Sequence, residues 1–262
     1  FCLLAIFWAS LCNSQAQDST IVYQIGLNIS GSTEQTPFLL HRNRYGSVPL
    51  EGNYASGNWR IQKTYNPNNP RIAQWSAGAE LITNYSLDQK SNVFFTDLYL
   101  AGKLGPIEMS IGQKKEIYGI VDTLMSAGSL TMSGNARPYP KIQFSIPHFL
   151  PLHFTDDFIA LKASYSDGLL GNSELNYGDI KQIPYTYLHQ KSVYFRLGKP
   201  YQKLHYYLGM THLAIWGGEG SIWPLYENIS KGTSYLKTIS GKAINRIRTG
   251  SHFGTVDLGL QL

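Results

Sequence analysis

Residues 71–86 read RIAQWSAGAELITNYS, and their alternation decides the fold class. Ala73, Trp75, Ala77, Ala79, Leu81 and Tyr85 share one parity; Gln74, Ser76, Gly78, Glu80 and Asn84 share the other. A strand has period two, so this is one apolar face backed by one polar face. Trp75 and Tyr85 stand at the two ends of the apolar face, ten residues apart. At ~3.3 Å per residue and a tilt of about 40°, that spacing covers roughly 25 Å, the height of an outer-membrane barrel's apolar band between its aromatic girdles. A soluble sheet rarely keeps one apolar face over so many residues.

The same alternation recurs in both directions. Residues 20–29 (TIVYQIGLNI) form a short strand candidate, and in 54–63 Trp59 and Ile61 oppose Asn58, Arg60 and Gln62. In 92–100 Phe94, Leu98 and Leu100 fall together with Asp97 opposite, and Ile107, Met109 and Ile111 oppose Glu108 and Ser110. Ile142, Phe144 and Ile146 oppose Lys141, Gln143 and Ser145; further alternating runs lie at 159–165, 204–211 and 255–261. Connections at 102–105, 147–156 and 198–202 read as short, and those at 114–140, 167–186 and 214–250 as long. A meander with short turns at one end and long loops at the other predicts that alternation, whereas Greek-key sandwich connections do not. The expected fold is therefore all-β, a transmembrane antiparallel β-barrel with long extracellular loops, of which about ten strands are visible.

Composition agrees. Charged residues are 15% of the chain, against roughly 25% in an average soluble domain. Aromatics reach 13%, with 18 Tyr, and Gly 25 residues. The formal charge of +5 carries no basic stripe, which argues against nucleic acid and is compatible with acidic glycan or lipid head groups. Residues 1–16 (FCLLAIFWASLCNSQA) read as the apolar part of a secretory signal, with 17–262 as the barrel. Both cysteines, Cys2 and Cys12, fall inside that segment, so the exported part has no disulfide, as suits a bacterial outer-membrane protein. A missing initiator Met and a last strand ending GTVDLGLQL without an aromatic terminus lead to the expectation of a chain cut at both ends.

Motifs for catalysis are missing: there is no Gly-x-Ser-x-Gly, no His-Glu-x-x-His and no phosphate-cradling Gly loop. His148, His153, His189, His205 and His212 share no metal-ligand spacing, and Asp156-Asp157 reads as turn chemistry. The expectation is a monomer that is not an enzyme and uses no cofactor or metal. The loops are more informative. Residues 214–250 hold Trp216, Trp223, Tyr226 and Tyr235, with Lys231, Lys237, Lys242, Arg246 and Arg248 against Glu219 and Glu227. Flat rings cover sugar CH faces and cations meet uronate or phosphate groups, so Trp216, Trp223, Tyr226, Lys231, Lys237, Arg246 and Arg248 form a candidate glycan-binding set. An equally open reading has the rings filling a loop plug and the cations bridging the phosphates of outer-membrane lipids. Residues 124–146 (LMSAGSLTMSGNARPYPKIQFSI) form a long loop feeding a strand, expected to fold inward with Asn135, Arg137 and Lys141 in polar surroundings. Arg137 is expected to pair with one of the carboxylates Glu80, Asp97 or Glu108, with glycan contact as the alternative.

Four pieces, SAGSLTMSGNARPYPKI (126–142), YLHQKSVYFRLG (187–198), YYLGMTHLAIWGG (206–218) and, more weakly, PFLLHRNRYG (37–46), resemble the Wzi-type capsule-assembly outer-membrane proteins in their Bacteroidota form. The resemblance implies a barrel of about eighteen strands, a lectin-like role holding capsular or related polysaccharide at the surface, and no enzymatic activity. It also implies periplasmic helices, for which the sequence offers no convincing amphipathic segment. A diffusion channel is the alternative reading, and an envelope glycan-processing enzyme a more distant one.

Overall fold

A computed structural model describes residues 9–11, 20–32, 35–86, 91–177, 180–218, 231–241, 243–244, 247–248 and 250–262. Its elements in chain order are β1 (Ala9–Leu11), β2 (Ile21–Ser30), α1 (Phe38–His41), β3 (Tyr54–Lys63), β4 (Ala73–Ser86), β5 (Asn92–Leu104), β6 (Ile107–Gln113) and β7 (Lys141–Pro151). A 3-10 turn (His153–Thr155) leads to β8 (Ile159–Tyr177), β9 (Ile180–Leu197), β10 (His205–Trp216), α2 (Lys231–Ser240), β11 (Ala243–Ile244), β12 (Ile247–Arg248) and β13 (Ser251–Gln261). The fold is all-β. Ten long strands form one antiparallel sheet in the order β2-β3-β4-β5-β6-β7-β8-β9-β10-β13, with β1 added at the β2 edge and β11-β12 a separate small hairpin. None of the described helices is long and apolar enough to cross a membrane, which has no bearing on crossing by strands. By contacts the chain forms two compact units, Phe1–Gly105 with Ser110–Pro138, and Pro106–Met109 with Tyr139–Leu262.

In the first unit β2 to β5 pair in sequence. Trp59, Ile61, Trp75, Tyr85, Leu98 and Leu100 lie on the exposed face, while Ser56, Ser76, Glu80, Asn84, Asp97 and Tyr99 are buried. One departure from strict period two matters. Glu80 pairs with Asp97 but Leu81 pairs with Phe95, so Thr96 is an extra, fully buried residue in a β-bulge. Parity inverts there. Phe95 takes the exposed face beside Leu98, and Phe94, expected on that face, turns towards the buried polar side and lies under Arg137. Gly78 lets the Tyr99 ring lie across β4: a Cβ there would stand 2.6 Å from Tyr99 Cε1.

In the second unit the strands pair as β7-β8-β9-β10-β13. Residues 167–186, expected as a loop, instead continue β8 and β9 into a long hairpin interrupted by register shifts near Gly171. Polar residues there disguise strand continuation, because the register shifts break the alternation and the hydropathy contrast between the faces is lost. The connection expected at 214–250 also shortens: β10 runs to Trp216, β13 starts at Ser251, and α2 lies between them. The sequence offered no convincing amphipathic helix, and α2 is a helix that it did not announce. Its residues KGTSYLKTIS include Gly232, two Thr and two Ser, a poor intrinsic helix former. Tertiary contacts hold it.

Candidate functional site

Two polar clusters stand out, one in each unit. In the first, Glu80 and Asp97 are opposite one another on neighbouring strands and both are buried. Lys115, two residues beyond β6, answers both: its Nζ donates to Glu80 Oε2 at 2.6 Å and its backbone N–H to Asp97 Oδ1 at 2.7 Å. Arg60 adds a second cation, its Nε 3.9 Å from Glu80 Oε2. Charge-assisted hydrogen bonds of this kind are what make burying two carboxylates side by side tolerable. The expected partner of this pair, Arg137, is elsewhere: its guanidinium carbon lies over the Phe94 ring, 3.7 Å from the centroid. The cation with the shorter chain path to the acids, Lys115, takes the role.

Above this cluster two separated stretches of chain are tied together. Arg42 Nη2 donates to Leu124 O (2.8 Å), and Asn43 Nδ2 to Thr123 O (2.9 Å) and Ser126 O (2.7 Å). Arg44 N donates to Asn135 Oδ1 (3.2 Å), and Tyr45 N to Gly134 O (2.9 Å). Asn43 and Tyr45 adopt positive φ (55° and 54°), so the segment presents successive groups to the opposing loop in a conformation that the hydrogen bonds must hold. Gly134 is required by contact: an added Cβ would fall 1.9 Å from Asn43 Oδ1 and 3.0 Å from Asn43 Cα. Burial, and then the nearby Asp97 and Glu116 charges, push the Tyr45 phenol above its ordinary value. Below this roof are a cavity of about 510 Å³ bordered by Arg44, Tyr54, Arg60, Glu80 and Lys115 and another of about 360 Å³ bordered by Asn84, Asn135 and Arg137.

The second cluster follows from register alone. Asp167, His189, Ala214 and His252 occupy one row across β8, β9, β10 and β13; Tyr165, Lys191, His212 and Gly254 occupy the next row on the same face. Further along that face the residues are apolar and exposed, Tyr206, Leu208, Met210, Val256 and Leu258 among them. The polar rows are covered by α2. Tyr235 Oη donates to Asp167 Oδ2 (2.6 Å) and lies 3.0 Å from Tyr165 Oη; Lys191 Nζ donates to the Ile239 carbonyl in the last turn (2.7 Å). A cation there also favours the negative end of the helix dipole. Asp167 Oδ1 accepts from His189 Nδ1 (2.9 Å), which places the remaining lone pair of a neutral His189 on Nε2. His212 Nε2 and His252 Nδ1 are 3.0 Å apart. Burial, then the hydrogen bonds to Asp167 and Tyr165, raise the Tyr235 phenol well above its ordinary value. Among the described residues no group of three or more His, Cys, Asp or Glu side chains is arranged to hold a metal ion.

The residues expected from sequence are distributed as follows. Trp216 ends β10, stacked on Tyr187 (centroids 5.0 Å, 30°) and tilted against Tyr235 (5.4 Å), with its Nε1 buried. Lys237 is on α2. Trp223, Tyr226 and Arg246 lie outside the described residues, as do the side chains of Lys231 and Arg248. Lys141 is buried beneath the Tyr139 ring, 5.5 Å from its centroid, and Glu108 is buried on β6. Asp156 and Asp157 both have positive φ in the turn before β8; Asp156 pairs with Lys199 and Asp157 with His153. The Asp167–His189–Tyr235 cluster escaped sequence reasoning, because its members are 22 to 68 residues apart in the chain and only pairing brings them together. The usable signal was the unbroken parity of Ala163, Tyr165 and Asp167. No protein-family model, no curated protein and no solved structure matches this chain.

Proposed function

We propose that the chain is part of an outer-membrane β-barrel that holds a capsular or related surface polysaccharide at the cell surface without catalysing a reaction. The observation that carries this reading is the joining of HRNRYG (41–46) to 123–135 over polar cavities. Two of the stretches that resemble the capsule-assembly family thus meet in one structure, at strand ends that adjoin long connections. Membrane residence is supported by inverted burial. Among the described residues the strands expose Ile25, Leu27, Trp59, Ile61, Leu98 and Leu100 and bury Ser76, Glu80, Asn84 and Asp97. In water such a surface is a liability, and in lipid it is the lower-energy arrangement.

Deletion of the gene tests the reading. The expected phenotype is polysaccharide made and exported but shed into the medium; a normal surface coat on the deletion strain would reject it. Purified protein in planar bilayers separates the alternative, since a diffusion channel conducts steadily and leaves the coat unaffected by deletion.

A further inference from the structure

We infer that α2 is a membrane-contacting clasp on the outer wall of the barrel, its exposed side turned to bilayer lipid rather than to the lumen. The inference rests on the membrane residence proposed above and adds a lipid contact for a helix. Register carries it. The two polar rows under α2, Asp167–His189–Ala214–His252 and Tyr165–Lys191–His212–Gly254, occupy a face of the sheet that is otherwise apolar. The row on one side of them is Ala163, Val193, Met210 and Val256, with Met210 and Val256 exposed. The row on the other side holds Leu169, Tyr187 and Trp216. Along the polar rows themselves, Asp167 pairs with Ile142 and Tyr165 with Phe144 on β7, and these two apolar side chains are 45% and 50% exposed. The polar groups are thus an island within an apolar wall, not the start of a wet rim. Open to lipid, such an island is costly; covered by a helix that hydrogen-bonds to it, it is tolerable.

The helix suits that position. Tyr235 and Thr238 are three residues apart and share the side turned to the sheet: Tyr235 bonds to Asp167, and Thr238 is fully buried. Leu236 lies on the opposite side and is 66% exposed. Two hydroxyls are tied into the helix backbone, Thr238 Oγ1 donating to Ser234 O (2.9 Å) and Ser240 Oγ to Leu236 O (2.8 Å), so neither brings an unpaired donor to lipid. The helix sequence holds two lysines, Lys231 and Lys237, and no acid, which fits anionic head groups. Trp216, stacked on Tyr187 and tilted against Tyr235, then belongs to the outer wall as well, and neither Trp216 nor Tyr235 plugs the lumen.

The test is site-directed spin labelling of the full chain in a Cys2→Ser, Cys12→Ser background, reconstituted into phosphatidylethanolamine–phosphatidylglycerol vesicles. Nitroxides are placed at Leu236→Cys on α2 and at Met210→Cys on the apolar band; both sites are exposed, so the label displaces no packed side chain. Collision with oxygen should exceed collision with a water-soluble nickel chelate at both positions. Nickel dominating at 236 while oxygen dominates at 210 would overturn the inference and leave the membrane reading standing. Nickel dominating at both would overturn the two together. Leu236→Trp repeats the measurement without a cysteine: brominated lipid should quench its fluorescence beyond the parent's, and no added quenching would equally overturn the inference.

Discussion

Glu80 and Asp167 are both carboxylates on sheet strands, and the protein neutralises them by opposite means. Glu80, its side chain 7% exposed, is met by charge: Lys115 at 2.6 Å and Arg60 at 3.9 Å. Asp167, its side chain 31% exposed, is met by the Tyr235 hydroxyl and the His189 imidazole, with Tyr165 beside them. The first solution uses a loop lysine and the second a helix laid over the sheet. A buried ion left alone is far more costly than a half-exposed one that loses a neutral donor, so the two clusters should fail differently.

Lys115→Met should show the largest effect. It leaves Glu80 and Asp97 with Arg60 as their nearest cation and should cost about 3 kcal/mol in reversible urea unfolding. A loss below that of Tyr235→Phe would break the contrast. Gly134→Ala should follow at roughly 2 kcal/mol, because the Cβ collides with Asn43 main chain as well as side chain. Faster proteolysis at 123–135 would locate the damage.

Tyr235→Phe should cost about 1–2 kcal/mol, confined to α2, and hydrogen exchange should show the helix amides losing protection while β3 to β5 keep theirs. Uniform loss across both units would mean that the helix is not a separable element. The pH dependence has a definite sign. An unfolded tyrosine loses its proton near pH ~10, whereas the docked Tyr235 phenol is raised above that. The stabilisation is therefore complete below pH ~10 and is lost as pH rises towards the docked phenol's own pKa. Absorbance at 295 nm should show one fewer late-titrating tyrosine in Tyr235→Phe than in the parent protein.

Lys199→Ala should do least. Asp156 and Lys199 are a turn pair, and the Asp156 carboxyl is lowered chiefly by its hydrogen bond to Lys199. The carboxyl is fully solvated, so water replaces the lost partner and the unfolding midpoint should not move. A clear shift would show that this turn contributes more than exposed pairs normally do.

Strand existence and facing were legible in residues 71–86 and their counterparts, because a two-residue repeat is imposed by the backbone itself and needs no partner to be read. The stretch 54–63 coincides with β3, and 71–86 contains β4, which starts two residues later at Ala73. Legibility ended where a local rule met a distant contact. The bulge at Thr96 moved Phe94 to the buried side, and nothing in NVFFTDLYL marks which residue is supernumerary. The helix α2 has poor intrinsic propensity and exists through Asp167, Tyr165 and Lys191.

The identity of the cation over Glu80 and Asp97 belongs to the same class. Arg137 and Lys115 were both within a long loop, and only the loop's folded path chose between them. By itself, then, the sequence determined the existence of the strands at 54–63, 71–86 and their clearly alternating counterparts and, away from the bulge at Thr96, which of their faces is apolar, since both follow from the geometry of one chain. The tertiary structure decided which polar groups meet, because cross-strand register and loop path bring together residues whose separation along the chain carries no trace of their contact.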